Sequence, residues 1–203
     1  MRDLERRRLR PQRDDLARQQ PEPLVAPELG RALEQQLHPE AHPEHRGPGL
    51  RALGLDELVV RRAQAGAPVL GLCLGMQLLF ERSVELGGDE GLGLLPGRVV
   101  DLAPDPPALK IPHIGWNVVT MTRDSPLTDG LPERCAFYHV HSFVAQPSEA
   151  SDVLGRGDYG GPFVSIVARD PIYGVQFHPE KSSTHGLALL RNFTAICART
   201  PAI

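Results

Sequence analysis

A strand that runs into a helix through one sharp turn constrains this chain more than any other feature. Pro68-Val69-Leu70-Gly71-Leu72 is a short apolar run suited to a buried parallel strand, and Met76-Gln77-Leu78-Leu79-Phe80-Glu81 opens a helical pattern. Cys73 sits at the turn between them. Such an elbow strains the backbone and packs strand and helix closely, so it needs small residues on both sides, and Gly71 and Gly75 supply them. At the start of the following helix, unpaired N–H groups and the helix dipole favour a thiolate over a thiol. The run therefore implies an α/β fold and a reactive Cys73.

Far downstream, Gly174-Val175-Gln176-Phe177-His178-Pro179-Glu180 carries the complementary chemistry. Val175-Gln176-Phe177 reads as a strand, and the stiff loop after it presents His178 and Glu180. Imidazole exchanges a proton near neutral pH, and a carboxylate fixes its tautomer and stabilises its charged form. Taken singly, a cysteine after an apolar strand is usually core and His-Pro-Glu is usually an exposed turn. Their joint occurrence favours a nucleophile, its base and the base's orienter. An α/β-hydrolase places the acid before the base, whereas here the acid follows it, so that class does not fit.

These residues resemble those of the class I glutamine amidotransferases, whose Gly-x-Cys-x-Gly elbow and His-x-Glu pair hydrolyse the side chain of glutamine. Pro112-His113-Ile114-Gly115-Trp116-Asn117, Tyr138-His139-Val140-His141-Ser142-Phe143 and Lys181-Ser182 are similar to the members that feed a (β/α)₈ barrel cyclase in histidine biosynthesis. Anthranilate synthase glutaminases share the elbow and the His-x-Glu pair but not the His-Ile-Gly-Trp-Asn run, and they remain the alternative within the family. The resemblance covers Gly49 to the C-terminus. It implies a three-layer, flavodoxin-like domain with an added antiparallel sheet. It also implies a catalytic triad of Cys73, His178 and Glu180, with the Leu74 N–H in the oxyanion hole. Gln77, Tyr138, His141, Ser142 and Phe143 would line the glutamine site. Pro112, His113, Trp116, Asn117 and Lys181 would face the cyclase in a heterodimer, and no cofactor or metal is implied. Phe143 stands where many relatives have Tyr, so any hydroxyl contact there is lost.

Residues 1–48 do not share the resemblance. The family opens with a strand and an Asp-Tyr-Gly-x-Gly-Asn turn, then carries a Pro-Gly-x-Gly loop that completes the oxyanion hole; neither motif is present. This stretch holds nine Arg and five Gln but no Phe, Tyr, Trp or Ile and a single Val, which cannot build buried strands. A disordered tail, a nucleic-acid-binding arm and a reading-frame error compete to explain it. Nine Asp and Glu balance the nine Arg, which removes the positive field an arm needs. Twenty Arg against two Lys in the whole chain suggest a GC-rich gene, in which wrong frames stay open, so a frame error is the favoured expectation. His38, His42 and His45 lie in this stretch, but intervening prolines prevent a ligand-aligning helix, and a solvated segment is expected there. If the first strands are missing, a catalytically impaired remnant that only binds a partner becomes the competing function.

Composition fits one core of the expected kind, with 203 residues, 41% hydrophobic and a formal net charge of -3, which disfavours nucleic acid as a partner. Cys73, Cys135 and Cys197 are too scattered for a disulfide framework, and the latter two are expected to be structural. No run is long and apolar enough for a membrane span or signal peptide, which makes the cytoplasm the expected location. Helices are expected over 50–62 and 184–198, the second with Leu187, Leu190, Phe193 and Ile196 inward. Strands are expected over 69–72, 98–102, 116–121, 136–140 and 163–168.

Overall fold

In the computed structural model of the chain, residues 50–85, 89–105 and 109–199 are described, and all of them fall in one unit, Pro43–Ile203. The domain boundary expected at residue 49 and the readings of residues 1–48, His38, His42 and His45 included, lie outside the described residues.

The chain builds one large mixed sheet with helices on both faces. Its strands are β1 (Val69–Leu72), β2 (Phe80–Ser83), β3 (Asp89–Glu90), β4 (Leu95–Asp101) and β5 (His113–Met121), then β6 (Arg134–His141), β7 (Phe143–Pro147), β8 (Val153–Asp158), β9 (Pro162–Arg169) and β10 (Ile172–Val175). Hydrogen bonding runs β3-β2-β4-β7-β9-β8-β5-β6, with β10 bridging β9 to β1. Among the described residues, β1–β10 and β2–β4 pair in parallel and the remaining pairs are antiparallel. The added antiparallel part is therefore continuous with the parallel part. A bridge from His139 to Phe177, just past β10, brings β6 back against the start of the site.

The layers follow from alternation along β9 and β10. Val167 and Ile172 point to a cluster with Met76, Leu79, Phe80, Leu95 and Val99, covered by Ala63 of α1 (Leu55–Gln64) and by α2 (Leu74–Leu78). Ile166, Ala168, Tyr173 and Val175 point the other way, to Phe137, Phe177 and Leu189 of α3 (Ser183–Arg199). Side chains alternate across a strand with period two, so one sheet feeds two cores and the three-layer α/β arrangement results. No helix among the described residues is long and apolar enough to cross a membrane.

Several boundaries differ from the sequence reading. The helix expected over 50–62 breaks at Gly54, which takes a left-handed φ of 64°, and α1 begins after it. The helical pattern from Met76 to Glu81 stops after one and a half turns, because Phe80 leaves the helix to pair with Leu95 as β2. The strand read as Val175–Phe177 lies earlier, at Ile172–Val175, in register with β1. In α3 the buried stripe is Gly186, Leu189, Phe193 and Ile196, at helical spacing, while Leu187 is 55% exposed and turned outward. Cys135 is buried and donates its S–H to the Pro132 carbonyl, as a structural cysteine does. Cys197 is exposed on the last turns of α3, so the structural role expected for it does not hold.

Candidate active site

Cys73 adopts φ 50° and ψ −109°, a conformation that non-glycine residues rarely take and that costs on the order of 1–3 kcal/mol. The surrounding packing over-determines it. A Cβ on Gly71 would lie 2.5 Å from the Gly75 carbonyl oxygen, so only glycine lets the first turn of α2 sit on β1. Gly71 is in register with Gly174, where a Cβ would meet the Met76 side chain at 2.7 Å, so paired glycines form the floor beneath the elbow. Gly75 itself has open space around it, and the steric demand at the elbow falls on Gly71. The Cys73 N–H donates to the Val175 carbonyl at 2.7 Å, tying the elbow to the end of β10.

The parallel pairing of β1 with β10 puts the C-terminal ends of both strands side by side, where ligand sites of α/β folds form. His178 follows β10 by three residues, and its Nδ1 lies 2.9 Å from Glu180 Oε1. Its backbone is pinned from both directions: the His178 N–H donates to the Tyr138 carbonyl at 2.9 Å, and Ser182 Oγ donates to the His178 carbonyl at 2.6 Å. Ser182, fully buried, also accepts from the Tyr138 N–H at 2.9 Å, so one hydroxyl clamps the histidine loop onto β6. With Nδ1 held by the carboxylate, Nε2 is the ring nitrogen left for proton transfer. The His178 side chain is 19% exposed and that of Glu180 is 52% exposed. Leu74 opens α2, so its N–H has no intrahelical acceptor and suits an oxyanion.

Among the described residues, three further groups reach the surroundings of Cys73, and the sequence reading assigned a role to only one of them, Gln77. The Cys73 thiol lies 3.6 Å from the Val140 carbonyl, and the Gln176 Nε2 lies 3.8 Å from the sulfur. Gln77 is buried, and its Nε2 donates to the Phe143 carbonyl and to Gln176 Oε1, both at 3.3 Å. Gln176 lies just past the end of β10 and is fully buried, and no motif in the sequence singles it out.

Of the other residues expected to line a glutamine site, Tyr138 contributes backbone to the His178 loop, while its ring packs edge-on to Trp116 at 6.1 Å between centroids. Its ring therefore shares the outer face of the β5–β6 pair with Trp116. The Ser142 carbonyl already accepts from the Leu102 N–H, and the Phe143 carbonyl accepts from His141 Nδ1 as well as from Gln77.

His141 belongs to a buried trio with His113 and His139. His141 Nδ1 donates to Phe143, which leaves its Nε2 to accept from His113 Nδ1 at 3.1 Å. His139 Nδ1 donates to the Phe137 carbonyl, and its Nε2 accepts from Ser165 Oγ at 2.9 Å. Burial, reinforced by the neighbouring His141, pushes the His139 pKa down to about 3, and burial pushes that of His141 down to about 4. Burial lowers that of His113 as well. The trio is neutral at working pH, and both ring nitrogens of His139 and His141 and the Nδ1 of His113 are engaged with one another or with carbonyl and hydroxyl groups.

His113 was expected at a partner interface, and its side chain corrects that expectation: it is 3% exposed, stacked on Tyr159 at 4.0 Å. Its position on β5 explains this, because residues of the opposite parity, Ile114, Trp116 and Val118, occupy the outer face and are 60%, 56% and 45% exposed. Trp116 is thus a surface aromatic and not a core residue. Pro112 and Lys181 are exposed, and half-buried Asn117 donates to the Asp158 carbonyl at 2.7 Å.

Residues 45–197 match the family model described as glutamine amidotransferase class-I. Proteins named imidazole glycerol phosphate synthase subunit HisH are similar over most of the chain. That of Desulfitobacterium hafniense is 47% identical over 144 residues, 71% of this chain and 67% of the relative. That of Nitrosococcus oceani is 50% identical over 144 residues, 71% of this chain and 68% of the relative. A crystal structure of a glutamine amidotransferase superposes with a TM-score of 0.55 at 20% identity, over 73% of this chain and 71% of that one. A glutamine amidotransferase of Thermotoga maritima gives 0.50 at 17% identity, over 78% of this chain and 59% of that one, so these two likenesses speak for the fold. With a strained cysteine elbow beside a His–Glu loop and this span of similarity, the chain belongs to the class I glutamine amidotransferase family, in company with the HisH subunits of imidazole glycerol phosphate synthase.

Proposed function

We propose that residues 49–203 act as the glutaminase subunit of an imidazole glycerol phosphate synthase, hydrolysing glutamine to glutamate and passing ammonia to a cyclase subunit in the cytoplasm. The observation that carries this reading is the tie between the elbow and the end of β10, which sets Cys73 beside the loop holding the His178–Glu180 pair.

In the proposed reaction the thiol proton of Cys73 passes to His178 and the sulfur attacks the carboxamide carbon of glutamine. The carbonyl electron pair moves onto oxygen, where the Leu74 N–H stabilises it. The C–N bond then breaks, nitrogen takes the proton from His178, and ammonia leaves a glutamyl thioester. Water gives a proton to His178 and its hydroxide adds to the thioester. The C–S bond breaks, glutamate departs and Cys73 recovers its proton. Glu180 holds the imidazole in the tautomer that performs both transfers.

Ammonia released into water at neutral pH becomes ammonium, which is not a nucleophile, so a docked partner must receive it directly. The outer face of β5 supplies the docking surface in this reading: Ile114, Trp116 and Val118 form an exposed apolar row, and Pro112 and Lys181 are exposed. The partner is proposed to be a (β/α)₈ barrel cyclase. Ammonia release from glutamine, measured with and without a cyclase subunit and its nucleotide ligand, tests the proposal. Release that requires Cys73 and rises with the partner supports it. A soluble, folded chain that releases none, alone or with the partner, contradicts it and favours the binding-only remnant.

A further inference from the structure

Among the described residues, two groups with opposite preferences lie beside the Cys73 sulfur. The Val140 carbonyl, 3.6 Å away, can only accept a hydrogen bond and so favours the thiol. The Gln176 side chain, 3.8 Å away and fully buried, favours whichever form its facing atom can bind. Which atom faces the sulfur follows from the network. The Phe143 carbonyl is an acceptor, so the Gln77 atom that contacts it is the NH₂ group. That same NH₂ contacts the Gln176 amide at 3.3 Å, so the Gln176 atom turned toward Gln77 is its oxygen. The Gln176 NH₂ is then left facing Cys73. Two buried amides thus form a directed relay from the Phe143 carbonyl to the sulfur, with every orientation set by the acceptor at its far end.

We propose that Gln176 is a further catalytic residue, whose side-chain N–H holds the Cys73 sulfur as thiolate and whose orientation is set by Gln77. The inference rests on the glutaminase reading for its purpose and on the relay for its geometry. Burying a glutamine amide just past the end of β10 costs desolvation that only full pairing offsets, and the pairing found here ends on the Cys73 sulfur. The five-residue α2 offers a shorter aligned set of peptide dipoles than a long helix would, which leaves room for a side-chain donor to contribute. The same N–H serves twice: it stabilises the sulfur before attack, and again when the C–S bond breaks and sulfur leaves the glutamyl carbon with its electron pair. Gln77 is a positioning residue in this scheme. It links the sulfur to the strand end at Phe143, so a shift of that carbonyl on ligand binding is transmitted to the nucleophile through two hydrogen bonds.

The test reads the thiolate without using glutamine. Iodoacetamide alkylation of Cys73 is followed across pH by mass spectrometry of its peptide, which separates it from exposed Cys197 and buried Cys135. Among the described residues, the titratable groups on the elements next to the elbow are the His178–Glu180 pair on the loop after β10 and His139 and His141 on β6. The latter two lie at about 3 and 4 and do not titrate in the range used. Coupling to His178 is removed by repeating the series in a His178→Asn background. In both backgrounds Gln176→Met is expected to move the alkylation midpoint up by about one pH unit and to slow the reaction at pH 7 by about tenfold. Should Gln176→Met fail to fold, Gln176→Asn keeps an amide but withdraws it by one methylene, and the same direction of shift is expected. Gln77→Leu is expected to give a smaller shift of the same sign. A folded Gln176→Met or Gln176→Asn protein with an unchanged profile overturns the proposal. Ammonia release measured on the same samples keeps the two readings apart: a shifted profile in a chain without glutaminase activity sustains the relay and sinks the function.

Discussion

The histidine on the loop after β10 and the three buried histidines of β5 and β6 show how one residue type meets opposite surroundings. His139 and His141 point their Nδ1–H groups at main-chain carbonyls and are shut away from water, so each stays neutral and serves as a polar strut between strands. His178 instead meets a half-exposed carboxylate at 2.9 Å and keeps contact with solvent. The difference is one of partners and water: His139 and His141 lie in β6, and the bridge from His139 to Phe177 brings that strand against the residue that precedes His178. A carbonyl acceptor with burial makes a histidine structural, and a carboxylate with solvent leaves it able to cycle a proton.

The contrast is broken most directly by His178→Asn, which keeps a polar side chain but cannot exchange a proton. Glutamine hydrolysis is expected to fall by roughly a thousandfold with little change in thermal stability. The mirror experiment is His139→Leu, which strands Ser165 Oγ and the Phe137 carbonyl in the interior. It is expected to cost about 2–4 kcal/mol of stability by denaturant titration while the folded fraction keeps its activity.

Acid sharpens the same comparison. The folded pKa values of His139 and His141 lie below the ordinary value of 6.5, so the unfolded chain takes up the more protons below that pH. Stability is therefore full above about pH 6.5 and falls as pH drops, by roughly 2 kcal/mol per histidine between pH 6.5 and 5. A chain whose unfolding midpoint stayed flat over that interval would show that the trio is not neutral.

Smaller effects are expected at the exposed ends of the site. Glu180→Gln keeps a hydrogen-bond acceptor for Nδ1 but removes a charge that water already screens, so a loss of roughly ten- to a hundredfold in rate is expected. Trp116→Ala on the outer face should change stability by about 0.5 kcal/mol or less, while weakening association with a cyclase subunit by roughly thirtyfold.

Local chemistry made the elbow and the His-Pro-Glu loop legible in the sequence, because strain at Cys73 and the need for glycine at Gly71 are consequences of neighbours along the chain. The strands with clean alternation were legible too: β5 and β6 were placed in outline from their residue pattern. What escaped was decided by pairing across the fold. Phe80 continued a helical pattern on paper, yet its place opposite Leu95 makes it strand. His113 shared a motif with exposed Trp116, yet the period of the strand turns it inward. Gln176 carried no motif role of its own, and only the orientation of Gln77 and Phe143 around it gives its amide a direction. Leu187 and Leu189 differ in sequence by two positions, and only packing against Tyr173 and Phe177 selects the second.

The central claim is that the elbow presents Cys73 to glutamine with His178 as its proton partner. Labelling by a glutamine-like chloroketone, read as the modified peptide by mass spectrometry, tests it most directly. One equivalent on Cys73, blocked by glutamine and lost in His178→Asn, is the predicted result. Labelling that falls equally on exposed Cys197, or that ignores both glutamine and His178, would contradict it.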